Sequence, residues 1–270
     1  MNLFVMITDN NYVEKTISCI ESIKKSKSFC DFLVVCIDVE KENLEKIKRV
    51  DDKIEVIKDS FPSWAQKRHP RDYASGSRAF HLNKILKRIL ADGTYENLIY
   101  TDVDYVYHQS FDLNEVVEKY FQNHDIMLRS SISVDYNQLL PNELWRIKFY
   151  GKKSKYNVEN WRINSSQIGG NAGLIFLKVN QKNFELTEEW HKKIIEKDWK
   201  FPCDQYTLLD ILNRDVPKGL ISWRGYPLIM YKFHHYQSSR ENIDGLKAKD
   251  NMKIYYELKE FLSKNEIDYE

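Results

Sequence analysis

The sequence contains no apolar run that approaches the roughly 20 residues required to cross a bilayer. Its first residues lack the basic segment of a signal peptide and soon become polar, so 3–7 is predicted to be a first strand. The net charge of +1 provides no global field that would attract nucleic acid. The four cysteines lack paired metal-ligand spacing and are typical of reduced thiols. These absences favour a cytoplasmic protein without a transmembrane segment or a nucleic-acid partner.

The apolar content is sufficient for a large core. Of the 270 residues, 42% are hydrophobic and 30% are charged, which allows one large α/β domain or two small ones. No internal repeat and no low-complexity linker divides the chain. We therefore predict one continuous domain over 1–270.

Strands and helices alternate in the first sixty residues. The predicted strands and helices, in chain order, are 3–7, 13–25, 32–37, 43–50 and 53–57. This order is typical of a doubly wound, mostly parallel sheet. Ligands of such sheets bind outside the carboxyl ends of the strands, and the polar turn 8–12 lies at that edge.

A pair of aspartates lies at the same predicted edge. Asp102 and Asp104 end the apolar run that begins at Leu98, and residues two apart in an extended chain share a face. Two such charges about 4 Å apart repel by roughly 4 kcal/mol at an effective dielectric of 20. Carboxylate oxygens suit Mg²⁺ or Mn²⁺, which would reverse that sign. An isolated Asp-x-Asp is also common as two solvated loop residues, so the motif alone does not decide.

A basic residue opens the next predicted helix. We expect 60–77 to form a polar loop over the site and Ser75 or Ser77 to cap a helix. Arg78 then falls on the inward face of the first turn, where the helix dipole disfavours a cation. The guanidinium needs an anionic partner, which is either a nearby carboxylate or a phosphate.

Three later stretches are candidates for ligand contact. The stretch 168–177 has three glycines within five residues before an apolar strand, which allows close approach of a ligand or another strand. Asp204 and Gln205 open an apolar-faced helix, where an aspartate is also normal for dipole reasons. The non-helical stretch 232–240 gathers histidines, serines and an arginine, as in a loop that faces phosphate or metal.

The remaining segments complete the predicted architecture. Helices are expected at 114–121, 184–196 and 251–262, and a strand at 125–128. The long polar segment 130–166 is expected to hold one or two short helices, with 142–150 the best candidate, and to form an acceptor-side lobe.

In chain order, these motifs resemble the GT-A-fold glycosyltransferases, most closely those of glycosyltransferase family 8. The likeness covers about 1–240. It implies an α/β GT-A fold: a Rossmann-like, mostly parallel sheet flanked by helices, with a smaller acceptor-side subregion. In that fold, about 1–128 would bind the nucleotide, about 129–240 would bind the donor sugar and acceptor, and 241–270 would be a helical tail.

The resemblance implies roles for individual residues. The nucleotide would be held by Thr8, Asp9, Tyr12, Asp102 and Val103, with Tyr12 stacked on uracil. Asp102 would contact both ribose and metal. Asp104 would bind Mn²⁺ or Mg²⁺ directly.

The sugar and diphosphate contacts follow from the same resemblance. The segment Asn171, Ala172, Gly173 would line the sugar pocket, and Asp204 and Gln205 would lie at the reacting face of the donor sugar. Arg78 would face the diphosphate or the sugar.

The late histidine segment would complete the metal site. His234 or His235 would be the third protein ligand of the metal. Where family 8 members usually carry a His-x-x-Gly-x-x-Lys-Pro segment, this chain has His-His-Tyr-Gln-Ser-Ser-Arg, so Arg240 could serve the phosphate role.

The implied activity is the metal-dependent transfer of a hexose from a UDP-sugar to an acceptor hydroxyl, with retention of configuration, in bacterial surface glycan synthesis. The acceptor would be a glycan, a lipid-linked glycan or a protein. A peripheral contact with the inner face of the membrane stays open, since the lysines of 148–155 could touch an anionic surface, although a solvated face is the simpler explanation.

Two other classes of function remain open. A sugar-nucleotide nucleotidyltransferase also uses acidic metal ligands on a doubly wound fold, but it normally carries a glycine-rich basic loop after the first strand, and 8–12 is not one. A non-catalytic sugar-nucleotide-binding protein is the second alternative.

Overall fold

The computed structural model describes residues 1–60, 70–107, 109–129, 171–196, 203–226 and 233–235. Within these ranges the backbone alone is described at 70–76, 171, 203, 206, 226 and 233–235. The predicted acceptor-side lobe at 130–166, Arg240 and the predicted helix 251–262 lie outside the described residues.

Strands and helices alternate through most of the described chain. The strands are β1 (Asn2–Thr8), β2 (Asp31–Ile37), β3 (Glu55–Asp59), β4 (Asn97–Thr101), β5 (Tyr105–Tyr107), β6 (Ile126–Arg129), β7 (Asn171–Lys178), β8 (Trp223–Tyr226) and β9 (Phe233–His235). The helices are α1 (Val13–Lys25), α2 (Lys41–Val50), α3 (Pro70–Asp92), α4 (Leu113–Val116, continued by a wider turn over Val117–Phe121), α5 (Gln181–Glu196) and α6 (Cys203–Asp215). No helix in the described ranges is long and apolar enough to cross a membrane.

One seven-stranded sheet organises these elements, in the order β3-β2-β1-β4-β7-β6-β8. β7 runs antiparallel to both of its neighbours, and the other adjacent pairs are parallel. The predicted mostly parallel sheet is therefore confirmed. Because β7 is reversed, its first residues lie at the edge where β1 and β4 end.

Helices cover both faces of the sheet. Successive side chains of a strand point to opposite faces, so Leu3 and Val5 pack under α3, α5 and α6, whereas Phe4 and Met6 pack under α1 and α2. A strand covered on both faces is apolar throughout, which explains the continuous hydrophobic run of β1. Each buried side chain of this size contributes about 1.5–3 kcal/mol.

The helix before β4 begins earlier than the sequence predicted. α3 starts at Pro70, because proline lacks the N–H that the first helical position leaves unbonded and its φ is already helical. The predicted start at Ser75 or Ser77 is wrong, and so is the extent of the loop 60–77. Arg78 consequently lies in the third turn, where the dipole argument does not apply. The helix ends at Asp92, directly before Gly93, which has a φ of 65°.

β3 is displaced by two residues from the predicted 53–57. Asp51 holds a turn there: its carbonyl accepts from the Ile54 N–H at 3.2 Å, and its side chain accepts from the Lys53 N–H at 3.0 Å. Since this turn occupies the chain up to Ile54, the strand runs instead from Glu55 to Asp59.

A carboxylate ties the starts of β6 and β8 at the opposite edge of the sheet. Asp125 Oδ2 accepts from the main chain and the hydroxyl of Ser222, both at 3.0 Å, and Oδ1 accepts from Asn180 Nδ2 at 2.9 Å. Burial opposes ionisation, but these hydrogen bonds outweigh it and lower the pKa of Asp125.

We expect Asp125→Asn to lower the free energy of unfolding by about 1–3 kcal/mol at pH 7, because the amide cannot accept these bonds equally well. A lowered folded pKa gives stability that is complete above the unfolded value, near 3.8, and is lost as the pH falls through the folded value. The difference between variant and wild type in urea titrations should therefore shrink below that pH.

The matched control is Glu14→Gln, which removes an exposed carboxylate 3.4 Å from Lys46 Nζ. It should change the free energy of unfolding by less than about 0.5 kcal/mol at any pH. Equal losses in the two variants would contradict the structural role of Asp125.

Candidate functional site

The candidate site lies where β1 and β4 end and β7 begins. The Asp102 N–H, directly after β4, donates to the carbonyl of Gly173 at 2.7 Å. β4 pairs in parallel with β1, so the turn 8–12 follows its neighbouring strand at the same edge. The sheet therefore brings together polar segments that are far apart in sequence.

The two aspartates after β4 occupy a turn. β4 ends at Thr101, and the Tyr105 N–H donates to the Asp102 carbonyl at 3.3 Å. The expectation that Asp102 and Asp104 follow each other in extended chain is therefore wrong. Val103 between them is buried in the core, whereas both aspartates are half-buried. The turn thus places the valine in the core and leaves both aspartates at the edge of the sheet, half-buried.

Arg78 is the centre of the site. Its Nη2 lies 2.9 Å from Asp102 Oδ1 and its Nη1 lies 2.9 Å from Asp204 Oδ2. Its guanidinium carbon lies 4.8 Å from the ring centroid of Tyr100, and only 8% of the residue is exposed. The sequence left either a carboxylate or a phosphate as the partner of Arg78. In the structure Arg78 contacts two carboxylates, those of Asp102 and Asp204.

Burial and neighbouring charges have opposite effects on the pKa values of Arg78 and Asp204. Burial works against its protonated form, but Asp102, Tyr100 and Asp204 together raise its pKa. Burial raises the pKa of Asp204, which is 3% exposed, and Arg78 opposes that rise. The ion pair therefore favours the ionised form of a carboxylate that burial disfavours.

The start of α6 is tied to the start of β7. Gln205 Oε1 accepts from the Ala172 N–H at 3.2 Å, and the Trp190 indole donates to the Asp204 carbonyl at 2.7 Å. Trp190 is fully buried on α5. The predicted sugar-side segments, Ala172–Gly173 and Asp204–Gln205, thus lie together; at Asn171 only the backbone is described.

Tyr100 is a site residue that the sequence reasoning missed. Its hydroxyl donates to Asp102 Oδ1 at 2.6 Å, and burial raises its pKa well above the ordinary value, against the effect of Arg78. The sequence carried a signal, because Tyr100 precedes Asp102 by two positions and period two in the predicted extended run places both on one face.

Arg129 was also missed. It ends β6 at the same edge and donates from Nη1 to the Tyr105 hydroxyl at 2.8 Å. Its guanidinium carbon lies 5.6 Å from the Tyr105 ring centroid. The predicted strand 125–128 stopped one residue short of it. It adds a second guanidinium to this edge.

The turn after β1 is held largely by its own side chains. Asp9 Oδ1 accepts from the Asn11 N–H at 2.8 Å, and Lys15 Nζ lies 5.2 Å from the Tyr12 ring centroid. Thr8 is 2% exposed, and its hydroxyl accepts from Thr16 at 2.8 Å and donates to the Asp9 carbonyl. The geometry therefore favours Asp9 and Tyr12 over the Thr8 side chain as ligand contacts.

The late histidine segment reaches this edge through a separate two-stranded sheet. β9 pairs antiparallel with β5, which begins directly after Asp104. Its register sets His234 opposite Val106 and His235 opposite Tyr105, strands being about 4.8 Å apart. The backbone register thus places both histidines beside the strand that follows Asp104.

The donor set fits a hard cation. Among the side chains that the structure describes, no group of three or more His, Cys, Asp or Glu residues forms a metal site. Mg²⁺ is usually held by one or two carboxylates together with substrate phosphates. Asp102 and Asp104 meet that requirement at the edge where a ligand of this fold would bind.

Solved glycosyltransferase structures resemble the whole chain. The galactosyltransferase LgtC in complex with donor and acceptor sugar analogs has a TM-score of 0.55 and 12% identity, over 95% of this chain and 96% of its own. The bifunctional glycosyltransferase WbbM has a TM-score of 0.55 and 15% identity, over 93% of this chain and 49% of its own. The glycosyltransferase GlyE of Streptococcus pneumoniae TIGR4 has a TM-score of 0.54 and 13% identity, over 99% of this chain and 64% of its own.

No protein-family model matches the chain, and no curated protein sequence matches it. At such low identities, structural likeness establishes the fold. The chain has the GT-A fold, with a mostly parallel sheet flanked by helices, as its motifs predicted.

Proposed function

We propose that the protein is a metal-dependent glycosyltransferase that moves a hexose from a UDP-sugar to an acceptor hydroxyl with retention of configuration. The observation that supports this most directly is the pair of ion pairs made by Arg78. One guanidinium joins Asp102, on the predicted nucleotide side, to Asp204, on the predicted sugar side. The glycosyltransferases that share this fold add to that support.

The nucleotide would lie across the ends of β1 and β4. Tyr12 and Asp9 would contact the base and ribose, with Thr8 and Val103 contributing through their main chains. Asp102 would use Oδ2, the oxygen that neither Arg78 nor Tyr100 contacts, to accept a hydrogen bond from a ribose hydroxyl or to bind the metal. Asp104 and one histidine, His234 or His235, would hold Mn²⁺ or Mg²⁺.

Departure of the UDP leaving group builds negative charge on the β-phosphate. A cation bound at Asp104 would supply the Lewis-acid neutralisation of that charge. Arg78 is already matched by two carboxylates, so its part is to hold both of them in place. Arg240, outside the described residues, remains our candidate for a direct phosphate contact.

The sugar would lie against Asn171, Ala172, Gly173 and Gln205. Asp204 would face the anomeric carbon, where positive charge develops in the transition state. Three roles fit its chemistry: stabilising that charge, accepting the acceptor proton, or attacking the carbon as a nucleophile. All three require the ionised carboxylate, which the contact with Arg78 favours.

The acceptor in this proposal is a hydroxyl of a glycan, a lipid-linked glycan or a protein, and the reaction belongs to bacterial surface glycan synthesis. The reaction would take place on the cytoplasmic side, at the membrane surface if the acceptor is lipid-linked. The family resemblance supports this assignment.

We expect Asp104→Asn to reduce Mn²⁺-dependent hydrolysis or transfer of UDP-sugars at least about 100-fold, since loss of a charged group that stabilises the transition state costs that much. The measurement is UDP release from a panel of UDP-sugars with and without Mn²⁺.

Asp52→Asn, in an exposed turn at the opposite edge, is the control and should keep wild-type turnover. Near wild-type turnover by Asp104→Asn would overturn the metal assignment. Metal-dependent UDP binding without turnover by the wild type would identify a binding protein, and pyrophosphate release from UTP and a sugar phosphate would identify a nucleotidyltransferase.

The second prediction concerns Asp204. Replacement by asparagine should lower kcat at least about 100-fold while the Kd for UDP with Mn²⁺ changes less than about threefold, because the residue acts on the donor hexose, which UDP lacks. Kinetics and calorimetry on the same preparation separate the two effects.

Asp210→Asn removes an exposed carboxylate from the same helix, α6, and should leave both quantities unchanged. A large loss of UDP affinity in Asp204→Asn would instead show that Asp204 supports the nucleotide site.

A further inference from the structure

Tyr100 contacts both partners of the nucleotide-side ion pair. Its hydroxyl donates to Asp102 Oδ1 at 2.6 Å, and its ring lies 4.8 Å from the guanidinium carbon of Arg78. The side chain is 3% exposed and belongs to the core layer under α3. The buried Tyr100 therefore holds the half-buried carboxylate of Asp102 from the core side.

The two donors to Asp102 meet at one oxygen. Oδ1 accepts from the Tyr100 hydroxyl and from Arg78 Nη2, which uses both of its lone pairs. No hydrogen bond from the described residues reaches Oδ2, and 27% of the side chain is exposed. Two donors on one oxygen set the rotation of the carboxylate and leave a single oxygen for a ligand.

We propose that Tyr100 is a positioning residue of the donor site, which with Arg78 holds one oxygen of Asp102 so that the other is presented to the nucleotide. The inference rests on the proposed function, because it takes the ligand of Asp102 to be the UDP part of the donor.

A hydrogen bond to a carboxylate suits this task. Bonds in which one partner is ionised are shorter and about twice as strong as neutral ones. Without the hydroxyl, Asp102 would keep Arg78 as a single donor and could rotate about it. Ligand contacts require angular precision of about 10–20°, so affinity should fall even if the fold persists.

The chain supplies a matched control in Tyr107. It is also 3% exposed and donates its hydroxyl to a neighbour at the same end of β4, Thr101 Oγ1, at 2.9 Å. That neighbour is a neutral side chain that is fully buried. Removal of either tyrosine hydroxyl costs a buried hydrogen bond, but only the Tyr100 hydroxyl bonds a carboxylate that is partly exposed at the site.

The experiment compares Tyr100→Phe with Tyr107→Phe by titration calorimetry of UDP in the presence of Mn²⁺ and by thermal unfolding. Both variants should lose thermal stability, Tyr100→Phe the more, because its hydroxyl bonds a charged group. Tyr100→Phe should raise the Kd for UDP about tenfold, the loss expected for a hydrogen bond to a charged group, and Tyr107→Phe should change it less than about twofold. The phenylalanine ring keeps the cation–π contact with Arg78.

A double variant tests whether the hydroxyl acts through Asp102. In an Asp102→Asn background, adding Tyr100→Phe should weaken UDP binding by less than about twofold, because the charged group that it positions is gone. A full tenfold loss in that background would overturn the inference.

Other outcomes are equally decisive. Equal UDP affinity of Tyr100→Phe and wild type, or failure of Tyr100→Phe to fold, would show that the hydroxyl is structural and would overturn the inference alone. Wild-type protein that does not bind UDP with Mn²⁺ would overturn the proposed function and the inference with it.

Discussion

The contact of one guanidinium with two carboxylates holds this site together. Arg78 comes from the middle of α3, Asp102 from the turn after β4, and Asp204 from the start of α6. Removal of one partner from such a buried pair typically costs 3–5 kcal/mol, because the charge left behind cannot be solvated. The ion pairs therefore hold α3, the turn after β4 and the start of α6 in fixed positions relative to one another.

The reversed strand makes this meeting possible. Parallel strands alone would bring only their carboxyl ends to the site edge, whereas antiparallel β7 brings its first residues there. The main chain of Gly173 accepts from Asp102, and that of Ala172 donates to Gln205. One strand start thus joins the predicted nucleotide side, through the main chain of Asp102, to the predicted sugar side, through the side chain of Gln205.

Hydrophobic period and chain order were sufficient to predict the sheet, its covering helices and the edge that carries the aspartates. They failed where local backbone geometry competes with the pattern: Pro70 starts α3 inside an apparent loop, and the Asp51 turn delays β3. The turn at Asp102–Asp104 depends on burial of Val103, a tertiary effect that no local pattern contains. The partners of Arg78 were open for the same reason, since Asp204 is remote in sequence and only the packing of α6 on α3 brings it near.

The central claim is that the turn after β4 holds a metal-bound nucleotide, and anomalous diffraction from crystals grown with Mn²⁺ and UDP tests it most directly. We expect an anomalous peak within about 2–2.5 Å of an Asp104 carboxylate oxygen, the range of metal–oxygen bonds, with the diphosphate on its other side. Bound UDP at another edge of the sheet, or a manganese peak away from Asp104, would contradict the claim.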